Sequence, residues 1–469
     1  MGFQRFTKKT ILQTPKAHMN NSIIKTLDTI KRFIDDITDS TELLNKYRQS
    51  VTDFTRNRKI TLYILVAWLM SQVKKSLHIE IDSFWNNFVK SGNCPTTAAF
   101  CKSRAKLKPD FFHDMNIELV KAFYNNCQTA RNWHGYRLFS IDGSNLSLPD
   151  TDNLRRYYGN FTNNKGEQGP AANISISYDL QNQIISDSVM TPFSGKGNGE
   201  LTNGLRMMHS NPAGISDRLY LLDRLYGCFA TVKIAATDDF KFVCRCKTNL
   251  SETVKEFIKK AKTQGYIQLV ANYKSKKTLN NLQIDVSIGD RITVRAVKIK
   301  TEDGTTVLLL TNLTEEEASA ETLAQLYQIR WGVEVAYGII KNEEQINIFS
   351  GIRDCCIRQD FFCAMLLLNI ESLITKLDDG AIEAINQCKS KENRPPVQID
   401  RNFTWHVLKD TLPLWLLDNR RDDRILECMA TRFLYDLIES NKGKRYPRTK
   451  RQRALRGKFY TFTNYKQAI

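Results

Sequence analysis

The sequence predicts an α/β protein: a mixed central sheet preceded by an all-α N-terminal region and followed by a helical C-terminal region. Three observations carry this reading. Apolar residues recur at three- and four-residue steps before residue 130; from Tyr136 the pattern changes to period-two and continuous apolar runs; after Thr314 helical spacing returns. With 469 residues, 42% of them hydrophobic and 25% charged, the chain is long enough for several cores, and its composition excludes a disordered or collagen-like protein.

The N-terminal helices begin with Ile23, Ile24, Leu27, Ile30 and Ile34, which share one face behind Asn21 or Ser22 as a cap. A second helix is expected from Ile60 to Ser76. Its apolar run, Ile60 to Met70, falls short of the ~20 residues that cross a bilayer, so no membrane partner is expected. A third helix opens after Cys94 to Thr97 and carries AAFCKSRAKLK, with Lys102 and Lys106 four residues apart and Arg104 and Lys108 on the adjoining stripe. Such a helix suits a DNA backbone, and equally the surface of a bundle.

Strands are expected at 136–148, 172–180, 184–190, 218–226 and 240–247, with Asn182-Gln183 as a hairpin turn and helices at 200–209 and 230–236. The order of strand, hairpin partner, strand, helix, strand, helix, strand implies a mixed sheet. Four further runs, YIQLVANY, LQIDVSI, RITVRAVKI and TVLLLTNL, read as a β-rich insertion at 265–313. Eleven cysteines, without two CxxC pairs or zinc-finger spacing, read as buried free thiols.

The net charge of +18 is unevenly placed. Residues 1–130 hold 20 Lys/Arg against 11 Asp/Glu, and Lys442 to Lys458 hold nine Lys/Arg and no acid, which leaves the rest of the chain neutral. Two basic flanks around a neutral body suit a polyanion, because each neutralised phosphate releases counterions. The N-terminus lacks a signal-peptide run, so an intracellular, cytoplasmic and nucleoid-associated protein is expected.

Chemistry concentrates in ETLAQLYQIRWGVEVAYGIIKNEE, which follows Thr314 and the acids Glu315 to Glu317 of a capping box. At 100° per residue Tyr327, Arg330, Glu334 and Lys341 fall within an arc of about 60°, opposite Leu326, Ile329, Val333, Ala336 and Ile340. The segment is one helix or two in succession; Trp331 lies beside the charged face and reads as a packing residue. Two acids in apolar strands, Asp142 in FSIDGSN and Asp223 in YLLDRLY, are the candidates to converge with Glu334. A buried carboxylate is costly unless paired or bound to a cation. Asp142-Gly143 also suits a turn where the strand ends, Asp223 also suits an ion pair with Arg218 or Arg224, and Asp187, Asp217, Asp238 and Asp239 compete for the same role. Two aspartates and a glutamate can hold two Mg²⁺ ions about 3.5–4 Å apart for in-line phosphoryl transfer.

Tyr327, Arg330, Glu334 and Lys341 match Y-(2)-R-(3)-E-(6)-K and so resemble the YREK motif of DDE transposases of the insertion-sequence-four (IS-four) group. Asp142 in IDGSNLSLP and Asp223 in LLDRLYGCF look like that group's two aspartate blocks, although a glycine usually follows the arginine of the second. FTRNRK (54–59) and TTAAFCKSRAKL also look like its N-terminal region, so the resemblance covers residues 50–455. It implies a ribonuclease-H-like catalytic core at 131–264 and 314–350, the β-stranded insertion at 265–313, a DNA-end-binding region at 1–130, a C-terminal helical region at 351–441 and a basic tail at 442–469. It further implies Asp142, Asp223 and Glu334 as catalytic metal ligands, with two Mg²⁺ ions that Mn²⁺ can replace. Tyr327, Arg330 and Lys341 would hold DNA ends, and Arg56, Arg58, Lys102 and Arg104 would contact DNA. The implied activity is nicking, hairpin formation and strand transfer on double-stranded DNA by a homodimer in a synaptic complex. A metal-dependent nuclease of the same fold and a transposase-derived DNA-binding protein are the alternatives.

Overall fold

A computed structural model describes residues 21–440 apart from 57, 72–75, 128–129, 163–165, 167, 196, 301–303, 331, 339–345, 347 and 419–421. The basic tail, Trp331 and Lys341 therefore lie outside the described residues.

Helix α1 (Asn21–Asp39) buries Ile23, Ile24, Leu27, Ile30 and Ile34 as the spacing predicts. Helix α2 (Thr41–Tyr47) is capped by Ser40, whose side chain accepts from the Leu43 N–H. The apolar run forms α3 (Leu62–Ser71), buried on most of its surface. Among the described residues no helix is long and apolar enough to cross a membrane. Next come α4 (Leu77–Phe84) and α5 (Thr97–Arg104), the latter capped by Thr96. Helix α5 ends earlier than expected, so Lys106 lies beyond it and does not share a helical face with Lys102. Helix α6 (Asp110–Asn126) completes the N-terminal set.

The sheet is built from β1 (Arg137–Ser147), β2 (Asn160–Thr162), β3 (Gln168–Asp179), β4 (Ile184–Pro192), β5 (Arg218–Leu222), β6 (Lys241–Cys246), β7 (Gln264–Val270), β8 (Arg291–Lys300) and β9 (Thr306–Thr311). Its order is β2-β3-β1-β5-β6-β9-β8-β7, with β4 also paired to β3. Strand β1 runs antiparallel to β3 and parallel to β5, and β5 runs parallel to β6. The sheet is therefore mixed, as the alternation of elements implies. Helices α7 (Asp152–Tyr158), α8 (Glu200–Ser210), α9 (Phe229–Thr237), α10 (Glu252–Lys259) and α11 (Tyr273–Asn280) connect the strands.

Two local expectations fail for identifiable reasons. The strand expected at 136–148 forms as β1, and the alternative of a turn at Asp142-Gly143 fails, because β1 runs on to Ser147 with Gly143 paired opposite Ser175. The segment LQIDVSI is not a strand. It buries Leu282, Ile284 and Val286 and exposes Gln283 and Asp285, so a loop that leaves a turn at Gln283 and docks on the core produces the period-two pattern without a ladder partner. The expected insertion also extends the central sheet, because β9 pairs with β6.

The C-terminal part comprises α12 (Ala320–Ile329), α13 (Gly332–Gly338), α14 (Asp354–Lys376), α15 (Asp379–Lys391), α16 (Arg401–Leu417) and α17 (Arg424–Phe433), with a small two-stranded sheet of Val397–Ile399 and Leu437–Glu439. One apolar cluster runs from α1, α3 and α6 through one sheet face to α14, α16 and α17. A second covers the other face, where Leu138, Leu219, Leu221, Val243 and Leu309 meet Leu323 and Leu326 of α12. All eleven cysteines are free thiols, but only Cys127, Cys244, Cys246 and Cys363 are buried, which corrects the expectation that they are core residues as a set.

Candidate active site

The parallel pairing of β1 with β5 brings two aspartates side by side. The register ends at Phe139 opposite Tyr220; three residues further along, β1 reaches Asp142 and the other strand reaches Asp223, just past its last residue Leu222. Adjacent strands lie about 4.8 Å apart, so this placement follows from register alone. Asp223 then turns the chain: one of its carboxylate oxygens accepts from the Leu225 N–H at 2.7 Å. Glu334 arrives on α13, whose Val333 and Ala336 are buried. The Tyr337 hydroxyl, one turn after Glu334, donates to the Asp142 carbonyl at 2.8 Å and ties this helix to β1.

Burial raises the pKa of Asp142 to about 6; the Gly143 N–H opposes that shift, Glu334 and Asp223 add to it, and Arg330 counters it. Asp142 thus feels the charge of two carboxylates far from it in sequence. The competing aspartates are occupied elsewhere. Asp187 bonds His113 at 3.0 Å and Asp238 bonds His209 at 2.8 Å. Asp217 and Asp239 sit at positive φ in the turns that precede β5 and β6. Arg218 donates to the carbonyls of Met208 and Asp238 instead of pairing with Asp223.

A fourth carboxylate, Glu200, is absent from the residues that the sequence singles out. It opens α8 after a loop containing Gly195, Gly197 and Gly199, and burial raises its pKa to about 7, with Asp142 and Asp223 adding and the Gly143 N–H opposing. Its signal in the sequence is slight: one acid after GKGNG reads as an ordinary first-turn residue.

The Y-R-E part of the motif spans a break in the helix, since α12 ends at Ile329 and α13 opens at Gly332. Two helices in succession, one of the two readings, is therefore what the chain adopts. The expected capping box also forms, with the Thr314 N–H donating to Glu317 at 2.8 Å and the Glu317 N–H to the Thr314 hydroxyl at 3.2 Å. It closes a single turn, however, and Ser319 caps the helix itself. Arg330 is buried, donates to Glu334 at 3.0 Å, and its guanidinium carbon lies 5.8 Å from the centroid of the Tyr327 ring.

Of the basic residues expected on DNA, Arg56, Arg58 and Lys102 are exposed. The two arginines line a groove of about 460 Å³ together with Phe54 and Lys106. Arg104 is not on the surface, which corrects its assignment as a DNA contact. It is 2% exposed and donates to Gln359 at 2.7 Å, Ser350 at 2.5 Å, the Cys356 carbonyl at 3.0 Å and Asp360 at 2.7 Å. Its guanidinium locks α5 to α14 and has no face left for a phosphate.

The donor set of Asp142, Asp223, Glu334 and Glu200 is all carboxylate oxygen, which suits a hard divalent cation. The Arg330 guanidinium supplies positive charge among these acids. Among the described residues, no group of three carboxylate, histidine or cysteine side chains is gathered tightly enough to hold a metal as it stands. One Glu334 oxygen is paired with Arg330 at 3.0 Å.

The family described as "Transposase DDE domain" matches residues 133–369, just over half the chain and inclusive of all four acids. "Putative transposase y4zB" of Sinorhizobium fredii is 32% identical over 87 residues, 19% of this chain and 24% of that protein. "Putative transposase InsZ" of Escherichia coli is 30% identical over 97 residues, 20% of this chain and 30% of that protein. The chain thus spans about a quarter to a third of the length of these curated relatives. A solved structure, "Cryo-EM structure of piggyBac transposase synaptic complex with hairpin DNA (SNHP)", overlaps 94% of this chain and 90% of its own with a TM-score of 0.42 at 13% identity. By the extent of the match over residues 133–369, this chain belongs to the transposase DDE domain family.

Proposed function

We propose that the protein is a DNA transposase of the IS-four, YREK type, which cleaves double-stranded DNA at transposon ends and joins the ends to target DNA. The observation that carries the reading is the convergence of Asp142 and Asp223 from neighbouring parallel strands with Glu334 from a later helix, inside the span matched by the family. The order β4-β3-β1-β5-β6, antiparallel in its first three strands and parallel in its last two, supports a ribonuclease-H-like core.

In this reading Asp142, Asp223 and Glu334 hold two Mg²⁺ ions, with Mn²⁺ able to substitute. When bound, the ions polarise the scissile phosphate and lower the pKa of a water or 3′-hydroxyl. The chain's own residues do the positioning. Arg330 offers a planar fork to a terminal phosphate, and Tyr327 offers a ring face to an end base. Lys341 supplies a further phosphate contact. Arg56, Arg58 and Lys102 extend the DNA contacts across the N-terminal helices, and a homodimer brings two DNA ends together. Nicking, hairpin formation by the freed 3′-hydroxyl, hairpin opening by water, which restores that hydroxyl, and strand transfer form the proposed cut-and-paste route.

The test is cleavage of DNA carrying the element's own ends with Mg²⁺, resolved on a denaturing gel. Wild type should yield hairpins and joined products. Asp142→Ala, Asp223→Ala and Glu334→Ala should each abolish cleavage and leave DNA binding largely intact. Simple nicks from the wild type would favour a nuclease, and binding without metal-dependent cutting would leave a DNA-binding protein.

A further inference from the structure

We propose that Glu200 is a fourth carboxylate ligand of the divalent-cation site formed by Asp142, Asp223 and Glu334, an inference that rests on the metal-dependent reading above. The geometry is specific. The Glu200 side chain lies directly over the backbone of Gly143: a Cβ at that position would fall 2.4 Å from its Cγ and 2.8 Å from its Cδ. Gly143 does not have the positive φ of a turn glycine and sits in mid-strand opposite Ser175. Its missing side chain therefore makes room, and what fills the room is a carboxylate next to Asp142.

A second device holds Glu200 from the other side. Tyr226, three residues after Asp223, is fully buried and packs on Gly204 of α8, where a Cβ would come within 2.3 Å of its hydroxyl oxygen. The same hydroxyl lies 3.4 Å from the Glu200 carbonyl. The start of α8 is thus fastened to the Asp223 turn through Tyr226 and to β1 through Gly143. The charged neighbours of the Glu200 carboxylate are Asp142 and Asp223, and among the described residues no cation pairs with it. A half-buried acid held against two others, in the space left by a missing Cβ, gains from sharing their cation. Packing alone would be served as well by a neutral side chain of the same shape.

The experiment measures binding of Mn²⁺ alone to the full chain by electron paramagnetic resonance, for wild type, Glu200→Gln, Gly143→Ala and the surface control Glu118→Gln, with thermal melting to establish folding. Glu200→Gln keeps the shape and removes the charge; Gly143→Ala keeps the charge and displaces it. The expected result is weakening of Mn²⁺ affinity by roughly tenfold or more in both variants, as for removal of a metal-supporting group, with the control unchanged. If wild type and Glu200→Gln bind Mn²⁺ equally, Glu200 only packs and the inference is overturned while the catalytic reading stands. If wild type itself binds no Mn²⁺, the metal-dependent reading falls and the inference falls with it.

Discussion

At the scale of single residues, two arginines of similar appearance in the sequence have opposite fates. Arg104 sits in a basic helical stretch yet is buried in a network with Asp360, Gln359 and Ser350. Removing it takes the guanidinium from the Asp360 carboxylate, which otherwise accepts from the Ser350 N–H and hydroxyl. Arg104→Ala should therefore lower stability by roughly 3–5 kcal/mol in denaturant unfolding, the cost of breaking a buried pair. Because Arg104 touches no phosphate, the salt dependence of DNA binding should keep its slope in a variant that remains folded. Arg330, by contrast, lies among the site's acids and holds Glu334 at 3.0 Å, with the Glu334 side chain 38% exposed. Arg330→Gln should free that carboxylate and tighten Mn²⁺ binding by the DNA-free protein up to about fivefold, since a partly exposed ion pair contributes up to ~1 kcal/mol. A titration that shows weaker binding would mean that Arg330 does not compete with the metal. Spacing along a helix reports which residues share a face; it cannot report what the face meets, and that separates these two arginines.

At the scale of elements, the contact between the N-terminal helices and the sheet carries an ionic clamp. His113 on α6 lies 3.2 Å from Asp114 and 3.0 Å from Asp187 on β4, and Asp114 also pairs with Lys46 at 2.6 Å. Burial alone would lower the His113 pKa; the two carboxylates outweigh it and push it up to about 9. They stabilise the imidazolium, so the contribution to stability is fully present below the unfolded value near 6.5 and is lost as pH rises through about 9. Melting curves between pH 6 and 10 should show this loss, and His113→Asn should flatten that part of the profile. Most elements were legible from periodicity: α1, α3, α8, α9 and the strands β1, β3, β4, β5 and β6 follow from their apolar patterns. The segment 282–288 was not, because alternating burial occurs in any extended segment docked on a core, and only a hydrogen-bonding neighbour makes it a strand. Helix α11 was hidden in the same way: Tyr273 looked like the end of a strand, while Asn272 in fact caps a helix by accepting from the Ser275 N–H.

At the scale of the whole molecule, helices from both ends of the chain share one apolar cluster with the sheet. The boundary expected near residue 130 is therefore crossed by continuous packing, as where α6 and α14 both meet β4. Differential scanning calorimetry should show the N-terminal helices and the sheet melting in one transition, because neither can expose its apolar face without opening the other. Two separated transitions, the first confined to the N-terminal helices, would show that this shared core is too weak to couple them.

The residue order by itself determined the mixed α/β class, the break in character near Tyr136, and the candidacy of Asp142, Asp223 and Glu334, because periodicity and the cost of an acid in an apolar strand are local properties of the chain. Tertiary structure alone decided which aspartates meet, since the parallel register of β1 and β5 aligns Asp142 with Asp223 while Asp187 and Asp238 are drawn to histidines. It alone placed Glu200 over Gly143, 57 residues away in sequence. The missing Cβ that admits this carboxylate is visible in the sequence only as a glycine, and a glycine does not say whether it bends the chain or makes room for a neighbour.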